Sequence, residues 1–70
     1  MRATFIGPKV SRGFVPGRTY NLSSFVDKDR GWIKVIDKDN PRNWCPYSKI
    51  ETFLENWHIE YNRIVQSWQV

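Results

Sequence analysis

The sequence predicts a β-rich α+β fold, an antiparallel meander of three to five short strands followed by one C-terminal amphipathic helix. Two observations carry this. Over residues 14–48, short β-branched and aromatic runs alternate with turns rich in Gly, Pro and Asp. From Ser48 onward the apolar period changes from two to the three-and-four spacing of a helix. The 70 residues read as one domain, with a β part over 2–48 and a helix over about 50–67.

Residues 3–6 form the first strand, closed by Gly7-Pro8. Residues 7–18 hold three glycines and two prolines and read as a long irregular loop. Its exit, Val15-Pro16-Gly17-Arg18, is a type II turn, with Pro presetting one φ and Gly supplying a positive one. In residues 19–26, Tyr20, Leu22 and Val26 share one face, while Thr19, Asn21 and Ser23 share the other. Phe25 breaks the polarity of that second face, which is therefore expected to be partly covered. Residues 32–36 place Ile33 and Val35 on one side and Trp32, Lys34 and Ile36 on the other. Residues 43–47 form a further strand, and Pro41 keeps the preceding turn out of any central strand.

The pairs Asp27-x-Asp29 and Asp37-x-Asp39 flank the 32–36 strand. Calcium loops continue through a twelve-residue ligand pattern that neither segment supplies. Both read instead as turns in which Asp bonds its own backbone.

In the C-terminal third, Ile50, Phe53, Leu54, Trp57, Tyr61, Ile64, Val65 and Trp68 follow helical spacing. Only Ile59 stands out of phase. Ser48-x-x-Glu51 and Thr52-x-x-Glu55 are capping-box patterns, and both glutamates suit the positive end of a helix dipole. The expected buried side comprises Phe53, Leu54, Trp57 and Tyr61. The distal part, with Ile64 and Trp68, reads as a stripe for a partner or for homodimerisation. Its heptad-like spacing covers too few turns for an independent coiled coil, so a homodimer would need help from the sheet surface.

The net charge of +4 is unevenly placed. Residues 1–26 carry Arg2, Lys9, Arg12 and Arg18 and no acid, whereas seven cations and seven acids cancel over 27–70. This asymmetry points to an acidic partner, either nucleic acid or a negative protein surface. Cys45 is the only cysteine, so a disulfide cannot reinforce the small core, and Cys45 and His58 form no ligand pairs. No metal or cofactor is therefore expected. Four Trp, three Tyr and four Phe take over the stabilising role. A single cysteine fits a reducing compartment. The first residues show no secretory h-region, and no apolar run approaches the roughly 18–20 residues that span a bilayer. The expectation is a cytoplasmic protein without a membrane partner.

Three segments, Val15-Pro16-Gly17-Arg18-Thr19-Tyr20, Gly31-Trp32 and Cys45-Pro46-Tyr47-Ser48-Lys49-Ile50, occur in the order of segments of an SH3 domain. Over residues 2–54 the chain resembles the SH3-like small-barrel proteins. It also looks like the short SH3-like open reading frames of bacteria and phages, which often begin with an aromatic-Ile-Gly strand, here Phe5-Ile6-Gly7. The resemblance implies a binding scaffold with Trp32 and Pro46 on its ligand surface. The departures bear on the ligand. The tyrosines of polyproline-binding SH3 domains are missing from residues 3–7, Lys49 stands where another tyrosine is expected, and Lys9, Arg12 and Arg18 replace loop acids. Conventional PxxP recognition is not expected.

A Cys45–His58 nucleophile–base pair is outweighed by a structural thiol and a solvent-facing imidazole, and no Gly-rich phosphate loop is present. A non-enzyme is expected. The leading expectation is a protein-interaction module, such as a small phage-type protein that binds or inhibits a host factor. Nucleic-acid binding through Lys9, Arg12, Arg18, Trp32 and Lys34 is the alternative. An assembly protein oligomerising through its C-terminal helix is a third reading.

Overall fold

The computed structural model of the protein describes residues 1–60. The period-two runs become strands β1 (Arg2–Phe5), β2 (Thr19–Asp27), β3 (Trp32–Asp37) and β4 (Trp44–Tyr47). A short helix α1 (Ile50–Asn56) leads into a fifth strand, β5 (Trp57–Ile59). All pairings are antiparallel, in one sheet of order β4-β3-β2-β1-β5. The first four strands are a meander, and the last strand returns to the free edge of the first.

The turns form as their residues dictate. The Arg18 amide donates to the Val15 carbonyl at 3.1 Å, and Gly17 takes φ +86°, as a type II turn requires. Asp27 Oδ1 accepts from the amides of Asp29 (3.2 Å) and Arg30 (3.3 Å), and Asp37 Oδ1 accepts from the Asp39 amide at 2.9 Å. Both acidic pairs thus form backbone-bonding turns.

The core is largely aromatic. Trp57 is 1% exposed and packs against Phe5 and Phe14, with ring centroids 5.1 and 4.9 Å away. Tyr20 and Phe53 complete its surroundings, and Leu22 and Val35 fill the space above the sheet. Buried aromatics keep their polar tips paired. Trp57 Nε1 donates to the Tyr47 hydroxyl at 2.8 Å, and the Val15 amide donates to the Tyr20 hydroxyl at 2.9 Å. Among the described residues, no buried side-chain N or O lacks a partner.

The continuous helix expected over 50–67 is corrected by the structure. Helix α1 ends at Asn56, and Trp57 adopts φ −138° and ψ 131°, an extended conformation. The physical reason lies outside the segment. An unpaired β1 would present a row of unsatisfied backbone groups, and β5 pairs them through Phe5↔Trp57, Thr4↔His58 and Ala3↔Ile59. Trp57 and Ile59 then point inward and His58 outward, so the residue out of helical phase is in phase as a strand. Two further expectations change with it. Leu54, expected in the core, is 52% exposed, and Lys49 rather than a capping serine occupies the N-cap, without a side-chain bond. Phe53 and Trp57 are buried as expected, while Tyr61 lies outside the described residues.

Burial pushes the Tyr47 hydroxyl up from 10.0 to about 12; the bond from Trp57 opposes the shift and Cys45 adds to it. The unfolded chain therefore releases this proton first. The stability tied to it is intact below pH 10 and is lost as pH rises towards about 12. The melting temperature should fall more steeply over this window in the wild type than in Tyr47→Phe, whatever constant offset the lost hydrogen bond adds. Equal slopes would show that Tyr47 does not drive alkaline unfolding.

Candidate binding face

The register of β2, β3 and β4 decides which side chains meet on the surface away from the core. Phe25 stands opposite Lys34, Asp27 opposite Trp32, Ile36 opposite Trp44, and Lys34 opposite Pro46. Because opposed residues share a face, three rings from three strands (Phe25, Trp32 and Trp44) surround one lysine. Helix α1 packs through Phe53 against Tyr47 and Trp57, on the core side of the sheet, and so does not cover this face. Trp32 is half-buried, and Phe25 is 48% exposed.

Each ring has a cation over it. Lys34 Nζ lies 4.1 Å from the centroid of Trp44 and 5.8 Å from that of Phe25. The Arg30 guanidinium stands 5.3 Å from Trp32 and the Arg12 guanidinium 5.3 Å from Trp44. Such contacts contribute about 0.5–1 kcal/mol each at exposed sites. They orient the side chains without locking them. Arg30 also pairs with Asp27 at 3.5 Å, a surface pair of little energetic weight. Neither Arg12 nor Lys34 pairs with an acid among the described residues.

Arg12 reaches Trp44 because the 7–18 loop folds back through a tight hairpin. Ser11 and Phe14 exchange both backbone hydrogen bonds, at 3.0 and 2.8 Å. The two central residues have positive φ, +51° at Arg12 and +86° at Gly13, the mark of a type I′ turn. Phe14 is driven into the core beside Trp57, and Gly13 lies against the Asn43 amide so closely that a Cβ there would collide with it. One end of the turn is thus anchored in the core and its tip sits beside the start of β4.

A left-handed conformation costs a long L side chain about 1–2 kcal/mol, whereas Asn tolerates it. Arg12→Asn is therefore expected to stabilise the fold by about 0.5–1 kcal/mol after loss of the Trp44 contact. That corresponds to a rise of a few degrees in melting temperature. A lower melting temperature would show that the cation–ring contact outweighs the backbone strain.

The structure brings together Arg12, Trp32 and Lys34 of the expected site, but not Lys9 or Arg18. Lys9 lines a separate groove of about 250 Å³ on the core side of β4, with Ser11, Cys45, Tyr47 and Asn56. Arg18 is exposed at the loop's exit, its carbonyl bonded by the Phe5 amide. Ile64 and Trp68 lie outside the described residues. Sequence reasoning passed over Trp44 and Arg30 as site residues, and registered Phe25 only as a break in polarity. The signal was the alternation of 43–47, which sets Trp44 and Pro46 on one side; the register that joins them to Lys34 is not local. Cys45 on β4 and the exposed His58 on β5 belong to opposite ends of the strand order. Among the described residues, no group of three or more His, Cys, Asp or Glu is placed to hold a metal ion, and no helix is long and apolar enough to cross a membrane.

The sequence matches no protein-family model, no curated protein and no solved structure.

Proposed function

We propose that this protein is a non-enzymatic binding module that docks a macromolecular partner on the outer face of β2, β3 and β4. The observation that carries the reading is Lys34 set between Phe25 and Trp44, with Arg12 over the same indole, on a face left open by α1. Aromatic rings and guanidinium groups are the side chains that most often dominate binding energy at interfaces.

The sheet is proposed to be an SH3-like small barrel. A long loop after β1, Trp32 at the start of β3, and a last strand entered through a short helix and paired with β1 support this. The missing tyrosines in β1 argue against a polyproline ligand. A protein partner, with the molecule acting as a small phage-type binder of a host factor in the cytoplasm, is the reading that the resemblance and the single cysteine support. Nucleic acid is the other reading, and the cation over each ring, an observation of the face itself, supports it over a protein partner. Assembly through one continuous helix over 50–67 lacks its element, because α1 ends at Asn56.

Capture from host lysate, with and without nuclease, using the wild type and Lys34→Glu, tests the face itself. Lys34 lies on the surface of the sheet away from the core, so the variant should fold and lose the captured partner. Undiminished capture by Lys34→Glu and by Trp32→Ala would remove this face from consideration.

A further inference from the structure

Resting on the reading that the outer face is the binding surface, we infer that its occupant is single-stranded nucleic acid. The bases stack on Trp44, Phe25 and Trp32, and Lys34, Arg12 and Arg30 neutralise the phosphates. Each nucleotide presents one flat apolar ring and one negative charge. The face repeats the complementary pair, a ring with a cation beside it, across three adjacent strands.

The spacing separates single from double strands. By the register, Phe25 and Trp32 are diagonal neighbours on β2 and β3, about 7–8 Å apart, and Trp44 lies across β3 from Phe25, two strand spacings or roughly 10 Å away. Both distances exceed the 3.4 Å rise per base of a stacked duplex strand. Bases can reach successive rings only by unstacking from one another, which an extended single strand does and a duplex does not.

Charge supports the same occupant. Arg12 and Lys34 share one indole, so they stand within about one Debye length of each other at 0.1 M salt. Neither has an acidic partner among the described residues. Asp27, which stands opposite Trp32 on this face, is engaged with the backbone of Asp29 and Arg30 and with the Arg30 side chain, and Asp39 is engaged with the Asn21 side-chain amide. A polyanion relieves the repulsion between the two cations and draws them off the ring, which frees the indole for a base. A protein partner is the weaker fit, because lysine is depleted at protein–protein interfaces and Lys34 sits at the centre of this one. With stacking rather than base-edge hydrogen bonds, sequence preference should be slight.

The test uses fluorescein-labelled oligothymidylate of about 15 nucleotides, comparable to the site sizes of single-strand binders, and a mixed-sequence duplex of equal length. Anisotropy and tryptophan quenching are followed at several salt concentrations. The wild type should bind the single strand more tightly than the duplex, with quenching. Trp44→Ala should bind about 10-fold more weakly with charge unchanged. Arg12→Asn, which keeps the turn and is expected to melt no lower than the wild type, should lower the salt slope by about 0.7, one phosphate contact on a single strand. Lys49→Ala, at the N-cap of α1 and outside the cation–ring contacts of the face, should bind as the wild type. Equal binding of duplex and single strand, or equal weakening by Lys49→Ala and Arg12→Asn, would reduce the effect to surface charge and overturn the inference. A nuclease-resistant protein captured in a Lys34-dependent way, with no oligonucleotide bound, would overturn the inference and leave the binding face standing. Loss of both would remove the face as well.

Discussion

Trp57→Ala is expected to leave the protein largely unfolded at 25 °C. The indole is 1% exposed and is the common neighbour of Phe5, Phe14, Tyr20 and Phe53. Removing a buried Trp side chain costs about 3–5 kcal/mol through lost burial and the cavity left behind. Two further losses add to this. The Tyr47 hydroxyl loses its donor inside the core, and β5 loses the side chain that holds it against Phe5 at the edge of β1. A domain of this size has a total stability of about 3–5 kcal/mol, so the folded population should collapse. Trp57→Phe, which keeps a ring but no N–H, should melt between the two. Urea unfolding followed by circular dichroism checks the series. A folded Trp57→Ala chain melting within a few degrees of the wild type would sink the assignment of Trp57 as the core's centre.

Phe14→Ala should have a comparable effect from an unexpected place. Phe14 belongs to the 7–18 loop, yet it is 1% exposed and meets Trp57 and Tyr20 edge-on, with centroids 4.9 and 5.1 Å away. Truncation should cost about 3–5 kcal/mol. Unlike Trp57, Phe14 also closes the turn that carries Arg12. With sucrose added to favour the compact state, the refolded variant should lose hydrogen-exchange protection at the Ser11 and Phe14 amides, while the amides pairing β2 with β3 stay protected. It should also lose the Arg12 contribution to ligand binding. A variant with wild-type stability would mean that the loop packs independently of the core.

Much of the local structure was legible in the residues. The strands around Tyr20, Leu22 and Val35, the type II turn at Pro16-Gly17 and the two Asp turns all arise from interactions within a few positions of one another. Side-chain alternation also placed Trp32 and Lys34 together, opposite Ile33 and Val35. Where local periodicity was ambiguous, it misled. Phe53, Leu54 and Trp57 fit a helix, and nothing nearby opposes one except Ile59. Residues 57–59 extend because β1, more than fifty positions earlier, needs a partner for its backbone groups. The binding face was half visible for the same reason. Arg12 showed as part of a basic loop and Trp44 as part of a strand, with no local cue that they meet.

The β-rich class, the turns, the aromatic composition of the core and the concentration of positive charge in the first 26 residues are all readable from the chain's own residues. These follow from backbone preferences and from the period at which apolar side chains recur, and both are read over a handful of residues. That α1 stops at Asn56, that β5 closes onto β1, and that Arg12, Lys34 and Trp44 share one surface emerge only from the packed fold. Those outcomes depend on strand register and on satisfying hydrogen bonds across a free sheet edge. Register and edge are properties of paired segments distant in the chain, and no single segment encodes them.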